Sequence, residues 1–328
     1  MQFSIVLGIL LAYLSNFILA STLPDDVDWR WMFGVMAVPA VLLPAAVHHA
    51  RDAALAVHGR APRGGRRGDP PAHELPGRGG ARDPEIEQTL ATDAEAARAP
   101  FFVRQNRKVI LLAVAIAAFN QLSGINAILY DAPDIFRMAG AGDDSAARHS
   151  VVVGLVNLVA TMVALTVIDR LGRRRLMLIG SIGYLVSLGA LASVFTIYDE
   201  QFSGASSVMV LAALIVFIAA HAFGQGSVIR VFISEIFPNR IRGRGKSLGS
   251  LTHWVFAAAV SWAFPGIAAV LGGGAAFALF FVCMVGQLVW VLKVMPETKN
   301  VPLEEMEQAL GIELTAEDVA ASSGPRAH

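Results

Sequence analysis

Runs of about twenty apolar residues recur along this chain of 328 residues and constrain its fold more than any other feature. A helix needs about 20 apolar residues to cross a bilayer, because lipid offers no hydrogen-bond partner to a free backbone group. Eight such segments are present, at approximately 3–20, 31–47, 108–130, 150–168, 175–197, 207–229, 248–270 and 276–295. The sequence therefore predicts an all-α polytopic membrane protein with eight transmembrane helices.

The composition excludes other classes of protein. Hydrophobic residues make up 55% of the chain and charged residues only 16%, whereas a soluble domain carries about 25% charged residues. Lys and Arg (26) balance Asp and Glu (26), so the net charge gives no reason to expect a nucleic-acid partner. The single Cys283 excludes an intramolecular disulfide. No metal-ligand spacing or enzyme motif stands out, so we expect neither a metal, a cofactor nor an enzymatic activity.

Basic residues predict the orientation in the membrane. They concentrate in alternate connections, at 48–107, 170–175 and 240–246, while the intervening connections are acidic or neutral. Because Lys and Arg are retained on the cytoplasmic side, we expect both termini on that side of the plasma or inner membrane. The first segment lacks the basic start of a signal peptide and is interpreted as a membrane span.

Side-chain amides inside the third segment carry the most specific signal. Residues 120–126 read NQLSGIN. Gln121 and Asn126 point about 140° apart on an ideal helix, so they converge on one ligand only if the helix is distorted near 123–124. Asn126 and Tyr130 already share a face. Such amides either line a polar cavity or form hydrogen bonds between helices.

This stretch resembles the Gln-Gln-x-Ser-Gly-x-Asn pattern in the seventh helix of sugar porters of the major facilitator superfamily. Four other segments resemble family motifs in the family's order, namely WRWM (29–32) at the start of helix six, DRLGRRR (169–175) between helices eight and nine, EIFPNRIRG (235–243) after helix ten and PETK (296–299) after helix twelve. The resemblance covers nearly the whole chain and corresponds to helices five to twelve. We therefore expect an N-terminally truncated major facilitator fold that lacks the first four helices.

The resemblance implies a domain organisation. Residues 1–47 correspond to the last two helices of the N-terminal half, 48–107 to a cytoplasmic loop, 108–299 to the six-helix C-terminal half and 300–328 to a cytoplasmic tail. The implied function is transport of a monosaccharide across the membrane by alternating access between the two halves. Proton-coupled symport remains open. Sugar, protons and the lipid bilayer are the expected partners. The alternative is an inactive truncated remnant or a sugar-sensing membrane protein that does not transport.

The resemblance also implies a substrate site formed by polar and aromatic side chains. The candidate residues are Gln2, Gln121, Asn126, Tyr130, Asn157, His253 and Trp254. The amides and His253 would contact sugar hydroxyls, Trp254 would form an aromatic wall, and Tyr130 would act as an extracellular gate. Structural hydrogen bonding by the amides, and simple packing by the two aromatic side chains, are the alternatives.

Charged residues near the cytoplasmic helix ends correspond to the family's cytoplasmic gate. They are Asp169, Arg173, Arg174, Glu235, Arg242 and Glu297. The resemblance implies salt bridges between helices that close this side of the carrier. Because exposed ion pairs contribute only about 0–1 kcal/mol each, such pairs would bias an equilibrium rather than lock it. The alternative is that these charges only determine topology.

Three residues depart from the family pattern. Asn120 stands where the family has Gln, and Asp131 stands where it has Tyr. Arg230 is a suspect substitution, because it occupies the position of the Trp that stacks on the sugar. A guanidinium inside a membrane span is costly, so we expect impaired sugar binding.

Residues 48–82 contain seven Gly, four Pro and seven Arg, where the family has a Pro-Glu-Ser/Thr-Pro-Arg-Trp-Leu motif. If the reading frame is shifted by one base, the codons of residues 49–56 permit Thr-Pro-Glu-Thr-Pro-Arg-Trp-Leu. We therefore hypothesise that residues 45–82, approximately, are translated out of frame. A nucleotide sequence that cannot encode the motif in that frame would exclude the hypothesis.

Overall fold

The computed structural model describes residues 2–24, 27–35, 37–38, 100–198 and 204–310. Every regular element among these residues is helical, which confirms the all-α class predicted from the apolar runs. Most of the predicted segment 31–47, the stretch 45–82 and the end of the tail lie outside the described residues.

The described residues form both long and short helices. In chain order they are α1 (Gln2–Thr22), α2 (Asp28–Val35), α3 (Arg107–Leu122), α4 (Ile125–Tyr130), α5 (Ala132–Met138), α6 (Asp143–Leu171), α7 (Arg173–Tyr198), α8 (Gly204–His221), α9 (Ser227–Ile236), α10 (Arg242–Lys293) and α11 (Leu303–Leu310). A turn of π-helix at Ala222–Gly226 joins α8 to α9.

Helix α10 folds back on itself at Gly272. This residue has φ 81° and ψ 158°, a conformation that glycine adopts without steric penalty. The rings of Phe264 and Phe280, on either side of it, stack with centroids 5.8 Å apart. In a continuous helix these two residues would lie about 24 Å apart. The two arms of α10 therefore form the two membrane segments predicted at 248–270 and 276–295.

Six helical stretches of the described residues are long and apolar enough to cross a bilayer. They are Phe3–Thr22, Arg104–Tyr130, Ser145–Leu171, Arg173–Tyr198, Ala205–Ile236 and Asn239–Lys293. Because the last stretch contains the two arms of α10, the described residues account for seven of the eight predicted segments. This finding confirms a polytopic membrane protein.

The chain divides into two compact units. The first unit comprises residues 1–17 and 96–328 and contains every candidate site residue. In the second unit, residues 18–95, helix α2 packs the ring of Trp29 edge-on against Phe33 at 6.4 Å.

The buried apolar side chains of the first unit form two clusters, one that includes Phe277 and one that includes Phe237. Along α3, α7 and the second arm of α10, buried polar side chains separate the members of one cluster from those of the other. These side chains include Gln121, Ser181 and Gln287, each no more than 1% exposed. A polar layer therefore lies between two apolar clusters inside the unit.

Candidate functional site

The candidate site begins at a break between α3 and α4. Helix α3 ends at Leu122 and α4 begins at Ile125, and Gly124 between them has a left-handed φ of 83°. A Cβ atom at Gly124 would lie 2.5 Å from the ring of Phe280, so the position has no room for a side chain. The helix is thus interrupted at the residues where the sequence required a distortion.

The break brings Gln121 and Asn126 together. Asn126 Nδ2 donates a hydrogen bond to Gln121 Oε1 at 3.0 Å, and Gln121 Nε2 donates to Asn120 Oδ1 at 2.8 Å. Gln121 Nε2 also lies 3.1 Å from Nδ1 of His253, on the first arm of α10. We call Asn120, Gln121, Asn126 and His253 the amide cluster. Its groups both donate and accept, as recognition of sugar hydroxyls requires.

The other candidate residues do not form hydrogen bonds with this cluster. The ring of Trp254 packs edge-on against His253 at 5.3 Å and is 63% exposed. Asn157 on α6 is buried, and within the described part of the chain it makes no hydrogen bond to Gln121 or Asn126. Tyr130 is 62% exposed at the end of α4. Gln2 begins α1, but its side chain lies outside the described part of the structure.

The three departures from the family pattern occupy different surroundings. Asn120 belongs to the amide cluster. Asp131 lies between α4 and α5, where burial and, after it, the Asp134 carboxylate raise its pKa above the ordinary value. Arg230 on α9 is exposed, and the contact of Ile233, one turn later, with Gly249 places it at the level of His253 on α10. The amide cluster therefore adjoins a positive charge that the family pattern lacks.

A second chain of buried polar groups was not predicted from the sequence. Gln225 Nε2 donates to Gln287 Oε1 at 2.7 Å, and Gln287 Nε2 donates to Ser181 Oγ at 2.8 Å. Gln225 lies in the π-helical turn, next to a close approach of Gly224 and Gly180. Because all three polar residues are fully buried, this chain ties three helices together across the polar layer. The available signal was that Gln225 and Gln287 are each the single glutamine of an apolar segment.

A hydrogen bond from Tyr13 on α1 satisfies a backbone carbonyl group near the broken helix. The Tyr13 hydroxyl donates to the carbonyl oxygen of Leu129. In a regular helix that carbonyl would accept from the residue four positions later, which is Pro133 and has no N–H group. Tyr13 thus supplies a donor that the local sequence cannot provide.

We expect Tyr13→Phe to lower the free energy of unfolding by about 1–3 kcal/mol, because it leaves a buried carbonyl group without a partner. Thermal unfolding in detergent measures the change. Tyr130→Phe is the matched control, since Tyr130 is 62% exposed and makes no hydrogen bond within the described residues. Equal melting temperatures for the two variants would contradict the assigned role of Tyr13.

Charged residues predicted to form the gate meet at the opposite end of α9 from the π-helical turn. Arg173 binds Glu235 through two hydrogen bonds, from Nη2 to Oε1 at 2.7 Å and from Nε to Oε2 at 3.1 Å. Thr298 Oγ1 donates to Glu235 Oε2 at 2.6 Å. Asp169 lies 3.3 Å from Arg173 on the exposed side. Glu235 therefore joins α7, α9 and the segment after α10.

Glu297 binds backbone groups rather than a guanidinium. Its carboxylate accepts hydrogen bonds from the N–H groups of Arg173 (2.9 Å) and Arg174 (3.1 Å), at the start of α7. An anion is stabilised there by the unpaired N–H groups and the helix dipole. The preceding Gly172 has φ 89°, and a Cβ atom there would lie 2.8 Å from Glu297 Oε2. The carboxylate thus approaches the helix end closely because residue 172 has no side chain.

The remaining gate candidates bind carbonyl oxygens. Arg174 donates to the carbonyl groups of Leu292 (2.6 Å) and Val291 (3.2 Å) near the end of α10, and Arg242 Nε donates to that of Phe237 at 3.4 Å. A cavity of about 500 Å³ adjoins this group. Its lining residues are Asp169, Arg173, Ser234, Glu235, Arg242, Lys246, Thr298, Asn300 and Val301. The six gate candidates thus lie near one another, although only part of their contacts are salt bridges.

These observations define a class of protein. Apolar helices long enough to cross a bilayer enclose a polar layer, and the break in one of them presents a cluster of amides. The chain is therefore a multi-pass membrane protein with a polar internal site.

The family follows from comparison with known proteins. The family described as "Sugar (and other) transporter" matches residues 1–310, and the chain belongs to this family. This match confirms the resemblance to sugar porters.

Individual relatives agree with this assignment. The chain is 30% identical to the D-xylose-proton symporter of Escherichia coli K12, over 93% of this chain and 63% of the relative. It is 29% identical to the D-xylose transporter of Levilactobacillus brevis, over 97% of this chain and 69% of the relative. Among solved structures, it resembles the E. coli xylose transporter in an inward-open conformation with a TM-score of 0.70 and 25% identity, over 94% of this chain and 64% of that one. The chain thus spans about two thirds of the length of these relatives.

Proposed function

We propose that this chain transports a monosaccharide across the membrane by alternating access, with the amide cluster as the sugar-binding site. The observation that carries the proposal is the direct contact of Gln121, Asn126 and His253 at a helix break in the polar layer. A sugar bound there would exchange these internal hydrogen bonds for bonds to its hydroxyl groups. Trp254 beside His253 would offer an apolar face to the ring of the sugar.

The charged group around Glu235 would act at the cytoplasmic side. The basic connections at 170–175 and 240–246 contribute residues to this group. Connections rich in Lys and Arg are usually retained on the cytoplasmic side of a membrane. Because Glu235 joins three segments, closing and opening this side would make and break a small number of ion pairs and helix-end contacts. Such a device can shift a balanced equilibrium between two conformations.

Relatives named as D-xylose-proton symporters make protons candidate co-substrates. Within the described residues, no carboxylate forms a hydrogen bond with the amide cluster. We therefore assign the amide cluster to sugar binding and assign no proton-coupling residue.

Uptake by proteoliposomes that contain the whole chain tests the proposal. Labelled D-xylose and labelled D-glucuronate serve as a neutral and an acidic probe. We expect uptake of at least one probe, and a loss of about tenfold or more in Gln121→Ala and Asn126→Ala, because a polar site left unpaired by a substitution loses affinity strongly.

Gln105→Ala is the matched control, because Gln105 is an exposed amide outside the cluster. Its uptake should equal that of the unmodified chain. Binding of a probe without uptake would favour a sugar-sensing protein. Failure to bind or take up either probe would favour an inactive remnant and refute the proposed function.

A further inference from the structure

Arg230 places a permanent positive charge inside a membrane-spanning helical stretch, Ala205–Ile236. The neighbouring residues Ile229 and Ile233 of α9 are buried, whereas Arg230 is exposed. The guanidinium therefore does not pack into the apolar cluster around Phe237 but is available to a ligand.

No carboxylate of the described residues forms an ion pair with Arg230. The nearest candidate along the helix is Glu235, and its two oxygens already accept bonds from Arg173 and Thr298. A cation inside a membrane protein is costly unless a counter-charge or water-filled cavity accommodates it. Among the described residues, the Arg230 charge thus has no counter-charge.

The packing of α9 against α10 places Arg230 near the amide cluster. Gly245 lies against the Phe237 ring, and a Cβ atom at Gly249 would lie 2.7 Å from Ile233 Cδ1, so α9 packs antiparallel to the first arm of α10. One turn further, this register places Arg230 at the level of His253, which contacts Gln121 at 3.1 Å. Lys246 lies two turns before His253, on the same face of α10. Ser234, one turn after Arg230 on α9, lines the same cavity as Lys246. Arg230 therefore lies between the amide cluster and the cavity beside Glu235.

We propose that the preferred substrate is a monosaccharide that carries a carboxylate, such as a uronic acid, with Arg230 as the group that binds the carboxylate. This inference rests on the proposed transport function and specifies the substrate class of the same site. A guanidinium presents two parallel N–H groups that match the two oxygens of a carboxylate. Gln121 and Asn126 would then bind the hydroxyl groups of the same molecule.

The chemistry of the site also disfavours a neutral sugar. A neutral sugar would bind at the amide cluster without pairing the guanidinium, whereas a uronate would neutralise the charge as it binds. The Trp-to-Arg departure, which by itself predicts impaired sugar binding, is then a change of specificity.

Binding of D-glucuronate and D-glucose to the whole chain in detergent tests this inference, because the two sugars have the same ring and differ in one charged group. We expect the unmodified chain to bind D-glucuronate about 10- to 100-fold more tightly, the range that a charge-assisted hydrogen-bond pair provides. Arg230→Gln should abolish this preference, and Arg230→Lys should retain part of it. Arg230→Trp should reverse it in favour of D-glucose.

Arg104→Gln is the matched control, since Arg104 is an exposed arginine that does not belong to the proposed site, and it should keep the preference of the unmodified chain. Melting temperatures of all variants establish that they are folded. Binding of D-glucose with equal or greater affinity by the unmodified chain would overturn the inference and leave the proposed function intact. An unchanged preference in folded Arg230→Gln would also overturn it. Binding of neither sugar would overturn the inference, and the uptake of D-xylose would then decide the proposed function separately.

Discussion

Gly124→Ala is expected to lower the free energy of unfolding by about 2–5 kcal/mol and to weaken sugar binding. A residue with a side chain costs about 1–2 kcal/mol in the left-handed conformation that Gly124 adopts. The added methyl group would also lie 2.5 Å from the Phe280 ring, and overpacking of this kind costs about 1–3 kcal/mol. Phe280 cannot move freely, because its ring stacks on Phe264.

The effect on binding follows from the same geometry. The left-handed turn allows Asn126 to reach Gln121 at 3.0 Å, so a regularised or shifted turn would separate the two amides. Thermal unfolding and D-glucuronate binding measure the two effects. Gly266→Ala is the matched control, because a Cβ atom at Gly266 has no neighbour within 4 Å. Similar melting temperatures for the two variants would show that the break does not depend on glycine.

Glu235→Ala is expected to lower the free energy of unfolding by about 2–3 kcal/mol. The side chain of Arg173 is only 10% exposed and that of Glu235 is 28% exposed. The loss of stability on breaking this pair should therefore lie between the values for exposed and for buried salt bridges. Removal of the carboxylate leaves Arg173 with the mostly exposed Asp169 alone and deprives Thr298 of its acceptor. Both losses act on the contact between α7, α9 and the segment after α10.

Asp134→Ala provides the comparison for Glu235→Ala. It breaks a pair with Arg137 of similar length, 2.6 Å, whose side chains are 50% and 67% exposed. Because solvent screens this pair, we expect a change of less than about 1 kcal/mol. Chemical denaturation in detergent measures both variants. An equal loss in both would show that the Glu235 contact is no stronger than a surface ion pair.

The predicted and observed membrane segments agree because apolar length is a local property. Each segment is recognised as a run of about 20 apolar residues, which lipid or neighbouring helices must cover. The fold-back at Gly272 was predictable for the same reason, since the three glycines at 272–274 separate two such runs. The break at Gly124 was also predictable in part, because two amides five residues apart cannot share a face of a regular helix.

The partners of the polar side chains were less predictable. Glu297 was expected to form a salt bridge, but it binds the N–H groups at the start of α7. The link between Gln287 and Ser181 was not expected, and Asn157 makes no hydrogen bond to the amide cluster within the described residues. Each of these outcomes depends on how helices far apart in the chain are rotated against one another.

The sequence by itself determined that this chain crosses a membrane several times and belongs with sugar transporters. Both conclusions rest on hydropathy and short motifs, which are properties of neighbouring residues. Only the tertiary structure decided that Tyr13 completes the helix near Pro133, and that Glu235 pairs with Arg173. It also decided that Arg230 lies at the level of His253 without an acidic partner among the described residues. The physical reason is that the sequence shows which charges and carbonyl groups require a partner. The packing of the helices determines which partner lies close enough to bind.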